Sequence, residues 1–259
     1  MLFGKSGDHF QIISGFILAS VFCLIALFLN LLTLDGAKSA GVLGTITYGL
    51  GGWGAAFLLL LFFISSSLIS KKSVLKVEFH SHQYLEAVRR NGLQVWSNGF
   101  WFALFIVGAF MWDFQFFIMA SLGALATAMA DTWATELGSR RFKAKTYLIS
   151  GLKKVDPGTD GGISIPGTFA AFTGSLIIAL TAIYVFSFTL TNIFPILMAG
   201  FLGCLADSYF GAIWQQQDNP FTFPEFVPGQ TLNISNNFVN WASTGVGSLI
   251  AIILNLVLI

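Results

Sequence analysis

An aspartate and a glutamate close an apolar stretch in ADTWATELG (130–138), and a basic, glycine-rich loop follows at 139–165. A carboxylate at membrane depth costs a few kcal/mol on insertion scales, so it faces a polar interior, a partner or an ion. Behind Asp131 and Glu136 come Arg140, Arg141, Lys143, Lys145, Lys153 and Lys154, then Gly158, Gly161, Gly162 and Gly167. Acid, base and bare backbone in succession suit a divalent cation and phosphates. On an unbroken helix five residues turn through about 140°, so Asp131 and Glu136 share one site only if the helix end unwinds near Gly138. The plain alternative for Glu136 is a solvated interfacial residue.

A second acid, Asp207 beside Ser208, lies inside LMAGFLGCLADSYFGAIW (197–214) with apolar residues on both sides. Metal ligation, or a proton shared with Asp131, would account for it. The loop KKVDPGTDGGISIPGT (153–168) is the third candidate. Its glycines allow backbone shapes that present N–H groups to anions. Lys153 and Lys154 add charge, and Thr159, Ser164 and Thr168 add hydroxyls. The residues 164–168 also open a helix, whose N-terminus favours phosphate. A loop obeying the positive-inside rule explains the lysines but not the glycines. Asn98, Asn236, Asn237 and Asn240 open two further spans; capping suits Asn236, whereas Asn237 and Asn240 share a helix face.

The elements that carry these residues are membrane helices. The 259-residue chain is 55% hydrophobic and only 10% charged, with mean hydropathy +0.77, against roughly a quarter charged in soluble domains. This predicts an all-α polytopic membrane protein forming one transmembrane domain over 1–259. Spans are expected near 10–31, 40–69, 96–112, 114–136, 166–189, 193–214 and 236–258. The second stretch is too long for one ordinary span. Gly51-Gly52 within it predicts either a hairpin of two short helices or one tilted, broken helix, hence seven or eight helices. Five of the thirteen Lys and Arg fall in 71–90 and six in 140–154. Two spans separate these loops, so both are expected in the cytoplasm, and eight helices would put Met1 outside. The segment 71–94 reads as an interfacial amphipathic segment pressed on an anionic leaflet. In the second half, MASLGALATAMADTW (119–133) and MAGFLGCLADSY (198–209) form a weak repeat of small-residue helices ending in acid. Close packing of such helices would bring Asp131 and Asp207 together.

Other matches carry less. GLGGWG (49–54) has dinucleotide-loop spacing but lies in a span with no strand before it. Glu78, His80 and His82 lack a fourth zinc ligand, and Asn233-Ile234-Ser235 is a glycosylation sequon on the side expected to be cytoplasmic. Cys23 and Cys204 fall inside apolar spans, which argues against a disulfide or zinc site. No nucleic-acid partner is expected.

Together FFISSSLISK (62–71), QVWSNG (94–99), ADTWATELG (130–138), PGTDGGIS (157–164), GCLADSYFGAIWQ (203–215) and NNFVNWAST (236–244) resemble a family of integral membrane proteins that includes the plastid phytyl-phosphate kinase of plants. More distantly, the acidic helix end followed by Lys, Pro, Gly and Thr is similar to dolichol kinase, phytol kinase and phosphatidate cytidylyltransferase. The resemblance implies phosphoryl transfer from a nucleotide, CTP by analogy, to a prenyl monophosphate at the inner membrane's cytoplasmic face. Asp131 and Asp207 are then expected to hold Mg²⁺ with Glu136 in support. Lys153 would act on the transferred group, alongside a nucleotide site of Lys154, Gly158, Thr159, Gly161, Gly162, Ser164, Thr168, Asn98, Asn237 and Asn240. Trp96-Ser97, where small apolar residues are the pattern, and a short region after 215 depart from the family. Two other readings stay open: a CTP-dependent lipid cytidylyltransferase, and a secondary transporter using the two aspartates as ion sites.

Overall fold

A computed structural model of the chain describes residues 9–74, 89–112, 115–141, 144–215 and 234–258. Among them are seven helices long and apolar enough to cross a membrane. They are α1 (His9–Phe28), α2 (Leu34–Val74), α3 (Gly92–Trp112), α4 (Gln115–Trp133), α5 (Ile165–Phe186), α6 (Ile193–Trp214) and α7 (Asn236–Leu258). The fold is thus the expected all-α polytopic one. Most of the expected amphipathic segment 71–94, with Glu78, His80 and His82, lies outside the described residues, as do Asn233 and the side chains of Arg140, Arg141 and Lys143.

α2 holds the solution to the overlong second span. At 41 residues a straight helix would run roughly 60 Å, twice the hydrocarbon thickness. Gly52 interrupts it at φ 70°, ψ −166°, a region essentially reserved for glycine. The chain reverses there. Gly36, before the break, packs on the Arg90 carbonyl, while Phe62, after it, lies with its ring centroid 5.2 Å from the Arg90 guanidinium. Along an unbroken helix those 26 residues would separate the two contacts by about 39 Å. Leu43 and Phe63 likewise share one apolar cluster with Cys23 of α1. The stretches 34–51 and 53–74 therefore form a helical hairpin. The described helices thus traverse the bundle eight times, and α1 begins at the end opposite the acidic residues.

α4 is the hub of the bundle. Every residue from Ile118 to Ala130 is buried, as expected of a helix surrounded on all sides. Small residues let its neighbours approach to backbone distance. Thr127 of α4 packs on Gly203 of α6 and Gly247 of α7, and its hydroxyl donates to the carbonyls of Gly123 (2.9 Å) and Ala199 (3.2 Å). α4 and α6 run in the same direction, so the acids near their C-termini emerge at one end of the bundle.

After α4 the helix widens into a π-helical segment, Ala134–Arg141. The stretch read from sequence as a plain loop contains a small antiparallel sheet: β1 (Thr146–Leu148), β2 (Lys154–Val155) and β3 (Gly162–Ile163), in the order β2-β1-β3. Gly52→Ala should lower stability by about 1–3 kcal/mol, because no side chain adopts that backbone shape cheaply. Thermal unfolding of the detergent-solubilised protein measures this, and an unchanged melting temperature would mean that the hairpin does not depend on Gly52.

Candidate active site

At the end where α4 and α6 finish and α3 and α7 begin, the helices enclose a polar cavity of about 260 Å³. Its walls include Asn98, Asp131, Glu136, Gly158, Thr159, Gly161, Gly162, Ser164, Thr168, Asp207 and Asn240. Residues from five separate stretches of sequence thus meet at one place.

Asp131 and Asp207 adjoin, their carboxyl groups within hydrogen-bonding contact. Asp207 is fixed from α7: Ser243 Oγ donates to its Oδ1 at 2.7 Å. With its amide turned to satisfy both sides, Asn240 Nδ2 donates to the same oxygen at 3.2 Å and to the Asn236 carbonyl at 3.1 Å. Asn236 and Asn240 are one helical turn apart and line the cavity, whereas Asn237, the other expected asparagine, is rotated off it. On α3, Asn98 Nδ2 donates to the Gln94 carbonyl at 2.9 Å, which turns its Oδ1 the other way. That oxygen is buried and has no hydrogen-bond partner among the described residues.

The π-helical turn resolves the facing problem between Asp131 and Glu136. Hydrogen bonds from i to i+5 widen the turn after Trp133, which narrows the angle between the two acids, and both line the cavity. Glu136 accepts from Ser70 Oγ at 3.0 Å and lies close enough to Arg90 to stabilise its charge. Arg90 itself was not singled out from sequence. Its backbone is locked beside 31–33, with its N–H donating to the Leu31 carbonyl (3.0 Å) and its carbonyl accepting from Thr33 (3.1 Å). Asp35 clamps the same junction by accepting from Gly92 N–H at 2.7 Å. Burial pulls the guanidinium down to about 10, against the opposing pull of Glu136, so it stays cationic at neutral pH.

The glycine loop closes the cavity from above. Gly161, at φ +76°, lies so near α6 that a Cβ there would fall 2.5 Å from the Ala212 backbone nitrogen. This seats the loop one turn beyond Asp207. Asp160 comes with it, and burial raises its carboxyl above the usual aspartate range. The first turn of α5 offers fewer donors than its sequence implies. Gly167 N–H is taken by Ser164 Oγ (3.2 Å), Thr168 N–H by the Ser164 carbonyl (2.8 Å), and Pro166 has none.

Lys153 and Lys154 are exposed and do not line the cavity. They lie where β2 begins, and β2 is the sheet edge away from α6, two strand spacings (roughly 9–10 Å) from β3. The expected catalytic role of Lys153 and binding role of Lys154 therefore lack a geometric basis, and Arg90 is the only lining cation among the described residues. Four acids face it: Asp131, Glu136, Asp160 and Asp207. No three His, Cys, Asp or Glu side chains among the described residues form a cluster able to hold a metal unaided. Glu136 is directed to Ser70 and Arg90 instead of completing an acidic trio.

The family model for the integral membrane protein DUF92 matches residues 17–248. The chain belongs to this family. It is 27% identical to an uncharacterized membrane protein of Methanocaldococcus jannaschii over 246 residues, covering 92% of this chain and 93% of that protein. Protein VTE6, chloroplastic, of Arabidopsis thaliana is 23% identical over 86% of this chain and 65% of its own length. Protein PGR of the same plant is 27% identical over 92% of this chain and 94% of its own. No solved structure matches significantly.

The family match spans the cavity walls from the α2 hairpin to Ser243. Within them, Asp160, on the loop outside the spans, is an acid whose ionisation carries a stability cost at neutral pH. Its folded pKa is raised, so its favourable contribution is complete below the unfolded value and is lost as pH climbs through the folded one. Asp160→Asn should raise the melting temperature at pH 7.5, and the gain should vanish as pH falls into the ordinary aspartate range. Melting curves across pH check this; a gain independent of pH would contradict it.

Proposed function

We propose that this chain is a membrane phosphotransferase that moves the terminal phosphoryl group of a nucleotide, CTP by preference, onto a prenyl monophosphate to give a prenyl diphosphate. The observation that carries the reading is the contact between Asp131 and Asp207 in a cavity roofed by the glycine loop. Among the described residues, four acids against one lining guanidinium would repel phosphates unless cations intervene. That favours Mg²⁺, which takes one or two carboxylates and fills its remaining positions with water and substrate phosphates. Among the described residues there is no compact acidic trio, which agrees with such a partial ligand set. Asp131 and Asp207 would hold the ion, with Asn98, whose Oδ1 is buried without a hydrogen-bond partner among the described residues, lining the same cavity. Bound there, Mg²⁺ would neutralise charge developing on the transferred group.

The chain's own residues supply orientation. Ser243 and Asn240 hold Asp207 in one rotamer, and Glu136 and Ser70 hold the neighbourhood of Arg90. An oxygen of the prenyl phosphate forms a bond to the terminal phosphorus as the bond to the nucleotide diphosphate breaks, and CDP leaves with those electrons. The acceptor oxygen is already ionised, so no general base is needed and the chemistry is mainly positioning and electrostatics. Every Lys and Arg among the described residues belongs to segments at this end of the bundle. The positive-inside rule therefore favours a cytoplasmic active site in the inner membrane.

Purified protein incubated with Mg²⁺, labelled CTP and a panel of prenyl monophosphates should release CDP and form prenyl diphosphate. Pyrophosphate release would instead make it a cytidylyltransferase. Asp131→Asn should cut turnover by roughly 10²–10³-fold, the usual scale for losing one electrostatic contributor, with membrane insertion intact; near-normal turnover would remove Asp131 from the site.

A further inference from the structure

A second, apolar groove of about 210 Å³ runs between α1, the α2 hairpin and α3. Its upper wall is made by Arg90, Gln94 and Asn98, and the same three residues line the polar cavity. The two spaces therefore meet at a junction that carries a cation and an unpartnered, buried carbonyl oxygen. Below the junction the lining is almost wholly apolar. Phe62 and Phe63 lie beneath the guanidinium, at 5.2 and 5.9 Å, and Leu18, Leu43 and Leu59 follow. The floor is Tyr48 with Trp53, packed edge to face at 4.8 Å, beside the chain reversal at Gly52. From Phe62 to Trp53 the helix descends roughly 14 Å. Leu18 and Trp53 are exposed on the rim, so the groove opens sideways to the surrounding lipid.

We infer that this groove is the entry and binding slot for the hydrocarbon chain of the acceptor, a monophosphate lipid whose phosphate stops at Arg90. The cation–π position of Arg90 holds a positive charge at the boundary of apolar and polar space, which is where such a lipid changes character. A guanidinium also matches phosphate geometry with paired donors. A free nucleotide has no use for a slot this apolar, so the groove separates the two substrates: lipid from the α1–α3 side, nucleotide from the glycine-loop side. A second apolar hollow flanks the cavity near Phe169, Phe172 and Phe201. It meets the cavity at Ser164 and Thr168, with no cation lining it among the described residues. The Tyr48–Trp53 floor acts as the ruler that selects chain length.

The assignment of the lipid as phosphoryl acceptor rests on the reaction proposed above; the slot itself is testable without turnover. Geranylgeranyl monophosphate with a diazirine at the chain terminus is photolysed with the intact protein in nucleotide-free, metal-free nanodiscs, and labelled peptides are mapped. Labels should concentrate on 15–22 and 43–60. The matching alcohol, lacking phosphate, should label these at least tenfold less, and Arg90→Gln should reduce phosphate-dependent labelling to the level of the alcohol. Ala56→Phe, which fills the slot near its floor, should cut labelling by the geranylgeranyl probe far more than labelling by a geranyl one. Labels at 165–172 and 201, labels spread over all lipid-facing helices, or equal labelling by the alcohol would each overturn the slot. Failure to detect CDP with labels in the predicted place would instead count against the phosphotransfer reading alone.

Discussion

The burial of two carboxyl groups against one another is the constraint around which the rest of the bundle is arranged. Side by side on α4 and α6, Asp131 and Asp207 repel when both are ionised, and both lose hydration. A bundle tolerates this only if it supplies donors, a shared proton or a cation. Ser243 and Asn240 are the visible donors, both from α7 and both to Asp207. Asp131 has its partner in Asp207 and in whatever the cavity binds. This asymmetry makes α7 part of the site, although it contains no charged residue of its own.

Holding the acids that close requires helices that touch by their backbones. The small residues of α4, α6 and α7 serve this purpose. Thr127 packs against Gly203 and Gly247, and its hydroxyl returns to carbonyls on two helices. Larger side chains would spread the helices and pull the acids apart. The same economy of space explains the loop. Gly161 lies on Ala212 with no room for a Cβ, which delivers Asp160 and the glycine backbone to a point one turn above Asp207. Acids, loop and helix packing are a single geometric arrangement.

The lipid-facing half of the molecule solves a different problem. The α2 hairpin, reversed at Gly52, creates an apolar groove that ends at Arg90. The Arg90 backbone is held by a bridge to 31–33 and by the Asp35–Gly92 clamp, which places a cation at the boundary between apolar and polar space. The polar cavity and the apolar groove therefore meet at one side chain, with Glu136 on one side and Phe62 and Phe63 on the other.

Hydropathy and residue type determined the membrane class, the placing of the spans and which acids lie within them, because an apolar helix with a carboxylate in it has few physical explanations. Glycine pairs marked both the break in α2 and the loop over the cavity. Three features had no signal of short range. The π-helical turn that carries Glu136 to the cavity beside Asp131 depends on hydrogen-bond register, which composition does not encode. The exclusion of Lys153 and Lys154 follows from their place beside the outer strand of a sheet only a few residues long. The recruitment of Arg90 depends on contacts with residues more than fifty positions away in sequence. A charge near a helix end can be read from the chain, but which way it points is settled only when the helices have packed.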